Sequence, residues 1–157
     1  MDRSVVVTGL GVITPLGNSV PEFWEGLVAG RNGIDTITRF DPSKLDTRMA
    51  GQVKGFEVTR IMDAKEARRA DQFTQFALAA AHEAMRDAGL DENMPDPERA
   101  GAIIGTGIGG IQTLENQHRV MLEKGPGRVS PFFIPMMIAN MASGHISIRW
   151  NLKGPNY

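Results

Sequence analysis

A chain of 157 residues with 41% hydrophobic and 22% charged side chains is composed like an ordinary globular protein. That excludes a disordered tail, a collagen-like repeat and a small disulfide scaffold. Its 17 basic and 18 acidic residues leave a net charge of −1, too weak a field to gather nucleic acid or anionic lipid, so electrostatic docking must be local.

Val5-Val6-Val7-Thr8 is a β-branched run closed by Gly9-Leu10-Gly11, the pattern of a central strand buried on both faces that must turn sharply at its end. The start, Met1-Asp2-Arg3-Ser4, is neither a secretory signal nor a transit peptide. Residues 21 to 29 suit a short helix with Pro21 near its start, Phe23, Trp24, Leu27 and Val28 on one face, and Gly30 as its stop. From Arg31 to Phe56 turn signals such as Asn32-Gly33 and Asp41-Pro42 predominate, and a surface excursion with short strands is expected. Between Asp71 and Ala88 the residues Phe73, Phe76, Ala77, Ala80, Ala81, Ala84, Met85 and Ala88 keep a 3.6-residue spacing, which predicts a core helix. Gly89-Leu90 reads as its Schellman stop, and the alanines on that face would let another backbone approach closely.

Ala102-Ile103-Ile104 predicts a second buried strand, running into Gly105-Thr106-Gly107-Ile108-Gly109-Gly110 and then a helix through Ile111, Leu114, His118, Met121 and Leu122. Gly125-Pro126-Gly127 ends that helix, and Pro135 opens another through Ile138, Met141, His145 and Ile148. Strands alternating with helices indicate an α/β fold with a parallel sheet. The longest apolar run, residues 131 to 142, holds two prolines and an asparagine and falls short of the ~20 residues of a membrane span. A cytoplasmic chain with no membrane and no nucleic-acid partner is expected.

Gly105, Gly107 and Gly110 satisfy G-x-G-x-x-G between strand and helix, so dinucleotide binding is one reading. No second strand ending in an acidic residue follows, since Glu123 falls at the tail of a helix. His82, His118 and His145 each lie in a helical pattern with no second ligand at metal-binding spacing, and packing is the better reading for each. Lys65, Arg68 and Arg69 stand at i, i+3 and i+4 with Glu66 beside them, so on a helix they share one face and read as a solvated, salt-bridged turn. Met136, Met137 and Met141 beside Phe132 and Phe133 form an adaptable apolar surface that suits core, interface or ligand wall alike.

Taken together, Val5 to Gly11 with Pro15 and Gly17, Lys65-Glu66-Ala67-Arg68-Arg69, Gly105 to Gly110 and Ser130-Pro131-Phe132-Phe133-Ile134-Pro135 resemble the β-ketoacyl-acyl-carrier-protein synthases of type II, with Gly144-His145 and Gly154-Pro155 also in place. The resemblance spans the chain. It implies a thiolase-like fold of two βαβαβαββ halves, usually homodimeric, with a mostly buried mixed sheet and flanking helices. Residues 1–157 would supply most of the first half and stop short of the cysteine nucleophile. The family's catalytic histidines and lysine would lie further on still, so no catalytic residue is expected here, and neither metal nor cofactor is implied. The absence of cysteine agrees, because the family's chemistry holds its acyl chain on a thiolate. Of the residues present, Ile108 matches the family's gate to the acyl pocket and Phe133 a residue that reaches toward the neighbouring subunit's pocket. Lys65, Arg68 and Arg69 match the docking patch for acyl-carrier protein, with Arg128 as a neighbour. The implied substrates are malonyl and acyl thioesters of that carrier.

Overall fold

The computed structural model describes residues 4–157. Helix α1, Val20–Val28, starts where the Ser19 hydroxyl accepts from the Glu22 N–H, has Pro21 in its first turn and gives way to Gly30 at φ +62°. Its apolar side is largely open, with Trp24 65% exposed. The excursion that follows holds the short strands β1, Ile34–Thr36, and β2, Met49–Gly51, paired antiparallel with Ile34 opposite Gly51. Buried Gln52 secures the β1 side by accepting from the Thr38 and Arg39 N–H groups and donating to the Thr36 carbonyl at 3.0 Å.

A one-turn helix α2, Ala64–Ala67, precedes the central helix α3, Gln72–Asp87. Asp71 caps α3 at its start, and Gly89 at φ +71° closes it. Leu90 N–H donates to the Met85 carbonyl at 2.8 Å and Gly89 N–H to that of Arg86 at 3.0 Å, the two bonds of the Schellman stop read from the sequence. The alanine row does admit a backbone. A side chain at Gly9 would collide with the Ala84 carbonyl and one at Gly11 with that of Ala80. The most deeply buried residues of α3 are nevertheless Thr74, Leu78 and Ala79, while the predicted apolar row is half-buried. Leu78 packs in one cluster with Met62, Ala70, Ala102 and, from the last helix, Ile146 and Trp150.

Helix α4, Ile111–Lys124, ends at Gly125, φ +83°. The single helix expected from Pro135 onward is instead two, α5, Phe133–Met137, and α6, Met141–Trp150. The reason is a hydrogen bond from elsewhere in the chain: the Met137 carbonyl, which a continuous helix would offer to Met141, accepts from the Gly110 N–H at 2.8 Å. Ile138 turns extended at ψ 140°, and Met141 N–H falls back on the Ile138 carbonyl at 3.2 Å. Asn151 ends α6 in the left-handed region at φ 53°.

The strands differ most from expectation. Ala102 forms a parallel bridge with Asn156, with Ala102 N–H on the Pro155 carbonyl at 2.9 Å and Ile104 N–H on that of Tyr157 at 2.9 Å. Val5 to Thr8 join no ladder, and Val5 is 98% exposed. Ile103, expected in a buried strand, is 75% exposed. A β-branched run favours an extended chain, but a strand exists only where another supplies its hydrogen bonds. Among the described residues none is paired with 5–8.

Candidate functional site

The cationic turn is built locally. Asp63 Oδ1 accepts from the N–H groups of Lys65 at 2.7 Å and Glu66 at 2.8 Å, while the Glu66 side chain reaches back to the Asp63 N–H at 3.2 Å. This reciprocal capping box nucleates a helix of only four residues. The N–H donors of Glu66 and Lys65 hold the Asp63 carboxyl below its ordinary range. Helical structure stops at Ala67, yet Arg68 keeps helical angles (φ −70°, ψ −13°) and Arg69 N–H bonds the Glu66 carbonyl at 2.8 Å. Lys65, Arg68 and Arg69 are all exposed, and among the described residues none of them makes an ion pair. The Arg69 guanidinium lies 4.1 Å from the centre of the Phe132 ring. Arg128 belongs to a separate 3₁₀ turn, Pro126–Arg128, and among the described residues it too makes no ion pair.

Ile108 and Phe133 sit on segments that the structure brings together. Ile108 is 68% exposed on the glycine loop, where the Thr106 hydroxyl accepts from the Gly109 N–H at 3.2 Å. Phe133 is half-buried as the first residue of α5, its N–H on the Ser130 carbonyl at 3.0 Å. The loop lies directly on the end of α5. A Cβ on Gly109, at φ +79°, would stand 2.6 Å from the Met137 carbonyl oxygen, and one on Gly110 2.5 Å from that of Met136. Glycine is required there by contact. Around Gly105 and Gly107 there is open space.

The start of α4, where a dinucleotide's pyrophosphate would dock, is already taken. Asp71 Oδ2 accepts from the Thr113 N–H at 2.9 Å and the Thr113 hydroxyl at 2.6 Å. Gly105, Gly107 and Gly110 therefore shape a loop against α5, and the phosphate reading of them does not fit. Long-range links of this kind were not legible. An aspartate before a helical run signals a cap, but nothing in the sequence pairs Asp71 with Thr113. The same holds for Glu83, which accepts from the N–H groups of Val12 at 2.9 Å and Val20 at 2.7 Å.

Of the histidines, His82 Nδ1 lies 3.2 Å from Asp91 Oδ1, which also accepts from the Trp150 indole at 2.9 Å. Burial alone would raise the Asp91 carboxyl; the indole N–H and His82 outweigh it and hold the group below its ordinary value. His145, in the middle of α6, is half-buried beside Glu66 and Arg69 in a cavity of about 240 Å³. Burial pushes its imidazole down, against a smaller upward pull from Glu66. His118 is exposed on α4. Among the described residues no three His, Asp or Glu side chains gather as metal ligands, and no helix is long and apolar enough to cross a membrane.

The family model described as "Beta-ketoacyl synthase, N-terminal domain" matches residues 2–157. The chain belongs to the β-ketoacyl synthase family. Over 154 residues it is 53% identical to a 3-oxoacyl-[acyl-carrier-protein] synthase 2 of Synechocystis sp., covering 98% of this chain and 37% of that relative. The chain thus spans a little over a third of the curated relative's length. Its backbone follows the solved ishigamide ketosynthase/chain length factor with a TM-score of 0.83 at 31% identity, over 97% of this chain and 38% of the other. The ketosynthase fold expected from the motifs is therefore observed, but not its mostly buried mixed or parallel sheet: among the described residues the sheet is the largely exposed antiparallel pair β1–β2, with one parallel bridge at Ala102. A type II PKS ketosynthase solved in complex with its acyl-carrier protein is also similar in fold, with a TM-score of 0.77 at 21% identity over 96% of this chain and 40% of that one. Within the β-ketoacyl synthase fold, the cationic turn and the loop bearing Ile108 meet at the start of α4, through Asp71.

Proposed function

We propose that residues 1–157 form the N-terminal part of a cytoplasmic, homodimeric acyltransferase that extends acyl chains held on acyl-carrier protein. In that reaction a cysteine thiolate attacks the carrier's acyl thioester and takes the acyl group, and the carrier's sulfur leaves as thiolate. Malonyl thioester then loses carbon dioxide, and the electron pair of the broken bond remains on the adjacent carbon as an enolate. That carbon attacks the cysteine thioester, forming the carbon–carbon bond and expelling the cysteine thiolate. The chain has no cysteine, so its own residues supply recognition and none of the covalent steps. The exposed cations Lys65, Arg68, Arg69 and Arg128 engage the acidic carrier, and Ile108 and Phe133 border the acyl chain.

The observation that carries this reading is the Arg69–Phe132 contact of 4.1 Å. It sets a surface cation, on a turn free of competing ion pairs, against the residue before Phe133, whose helix in turn supports the Ile108 loop. Carrier docking and acyl entry would then occur side by side.

Titration of the 157-residue chain with acyl-carrier protein tests this. Binding should weaken as salt rises, because exposed pairs are screened over ~10 Å at 0.1 M. Each such pair is worth ~1 kcal/mol or less, so single substitutions act mildly. Reversing Arg68 and Arg69 together to glutamate should weaken binding about tenfold or more at low salt. Unchanged affinity in that double variant would return the turn to a solvated surface. The chain alone should not condense malonyl and acyl thioesters; elongation with no other synthase present would overturn the division of roles.

A further inference from the structure

We infer that Asp71 is a positioning residue that locks the carrier-docking turn to the glycine loop bearing Ile108, so that carrier binding at the first steadies the second; this rests on the docking role just proposed. Asp71 is only 7% exposed, and its two oxygens face different elements. Oδ1 accepts from the Phe73 N–H at 3.3 Å and caps α3. Oδ2 accepts twice from Thr113, itself 6% exposed, in the first turn of α4. A cap for α3 needs one oxygen, and serine or asparagine would serve. The second oxygen serves only the link to α4, and there two donors converge on one atom, which an acceptor-only oxygen satisfies and an amide nitrogen does not.

The link lies between the two functional segments. Arg69, two residues before Asp71, reaches Phe132. Gly110, three residues before Thr113, is close enough that a Cβ there would be 3.1 Å from Asp71 Cβ, and its N–H holds the Met137 carbonyl. The docking turn thus touches both sides of the Ile108–Phe133 region, through Asp71 to the loop and α4 and through Arg69 to α5. Ordering the turn with a bound carrier narrows the motion of Asp71 and, through Thr113, that of the loop.

Hydrogen exchange of the 157-residue chain, with and without acyl-carrier protein, tests the coupling. In the wild type, carrier should slow exchange at the Gly110 and Thr113 amides about 3- to 10-fold, the usual scale of such coupling. In Asp71→Asn, which keeps the α3 cap but turns a donor toward Thr113, that slowing should vanish while protection within α3 persists. Carrier affinity should change by no more than the coupling itself, about 3- to 10-fold, because a coupling free energy between two sites is reciprocal. Thr113→Val, which loses only the hydroxyl bond, should weaken the effect, and Thr113→Ser should retain it. Carrier that binds the wild type without slowing these amides, or slows them equally in Asp71→Asn, overturns the coupling and leaves docking intact. If α3 protection collapses in Asp71→Asn, Thr113→Val decides, full slowing there counting against the coupling. Absence of salt-sensitive binding to the wild type overturns the docking role and the coupling together.

Discussion

The two sides of α3 are packed by different means. Toward α6, Leu78 is 4% exposed and meets Ile146 and Trp150, side chain against side chain. Toward the N-terminal segment, a bare backbone lies on a row of alanines, flanked by an open groove of about 500 Å³ lined by Phe73, Phe76 and Ala81 among others. Small residues on both partners allow close approach but bring little apolar surface to bury. Carboxylates supply the hold instead, Asp87 accepting from Leu10 N–H at 3.0 Å and Glu83 from Val12 and Val20. Periodicity therefore marked the apolar row of α3 correctly, yet burial is deepest on the neighbouring face that carries Thr74 and Leu78.

The widest test sets side chains from the two faces against each other. Leu78→Ala should cost about 3 kcal/mol, within the ~2–5 typical of a buried leucine. Phe76, larger but half-buried, keeps an edge-on contact with Phe56 at 4.9 Å between ring centres. Its replacement by alanine should cost about 2 kcal/mol or less, from partial burial plus an aromatic pair. Denaturant midpoints measure both, and a larger loss at Phe76 would reverse the ranking of the faces.

Close approach on the alanine side predicts the next effect. Gly11→Ala should destabilise by about 1–3 kcal/mol, and an added Ala80→Gly should not relieve it, because the collision is with the Ala80 backbone oxygen. Gly144→Ala in α6 is the control. Its new Cβ meets nothing nearer than the Met141 sulfur at 3.8 Å, so helix propensity should stabilise the chain by about 0.5–1 kcal/mol. A tolerated Gly11→Ala would mean that the N-terminal segment can lift away from α3.

The carboxylate contacts come third. Glu83→Gln leaves an amide nitrogen facing a backbone N–H, and hydrogen bonds to charged groups contribute ~1.5–3 kcal/mol, so a loss of about 1.5 kcal/mol is expected. Asp87→Asn, at an exposed site with one bond, should cost about 0.5 kcal/mol. Equal losses at both positions would remove the special part given to the doubly bonded Glu83.

What the sequence revealed follows the range of the interaction that decides each feature. α3 with its Schellman stop, the helix end at Gly125 and the short-stranded excursion rest on neighbours in the chain, and all were legible. The break between α5 and α6 was not, since one N–H from Gly110 makes it. Nor was the bond between Asp71 and Thr113, which joins residues from two helices. At 5–8 the β-branched run showed what the backbone favours; pairing depends on a partner strand. Among site residues, the exposure of Lys65, Arg68 and Arg69 followed from the charge pattern, whereas the contact of Arg69 with Phe132 needed the fold.

The smallest expected effect is the response of the α6 side to acid. Burial lowers the His145 imidazole below its ordinary 6.5, so near that pH the unfolded chain binds more protons than the folded one. Stability is then complete above about 6.5 and falls as pH drops toward the lowered folded value. Asp91 is also lowered, from 3.8, and its contribution is present above about 3.8 and lost as pH falls through the folded value. Two separate losses should appear in melting temperature against pH. His145→Gln should flatten the upper one, and Trp150→Phe, which removes the indole donor to Asp91, should weaken the lower one. Amide exchange would show where the acid acts: the α6 amides should open first, ahead of those in α3 that face the N-terminal segment. Simultaneous opening on both sides would mean that α3 transmits the loss as one cooperative unit, and the two faces would differ in packing without differing in stability.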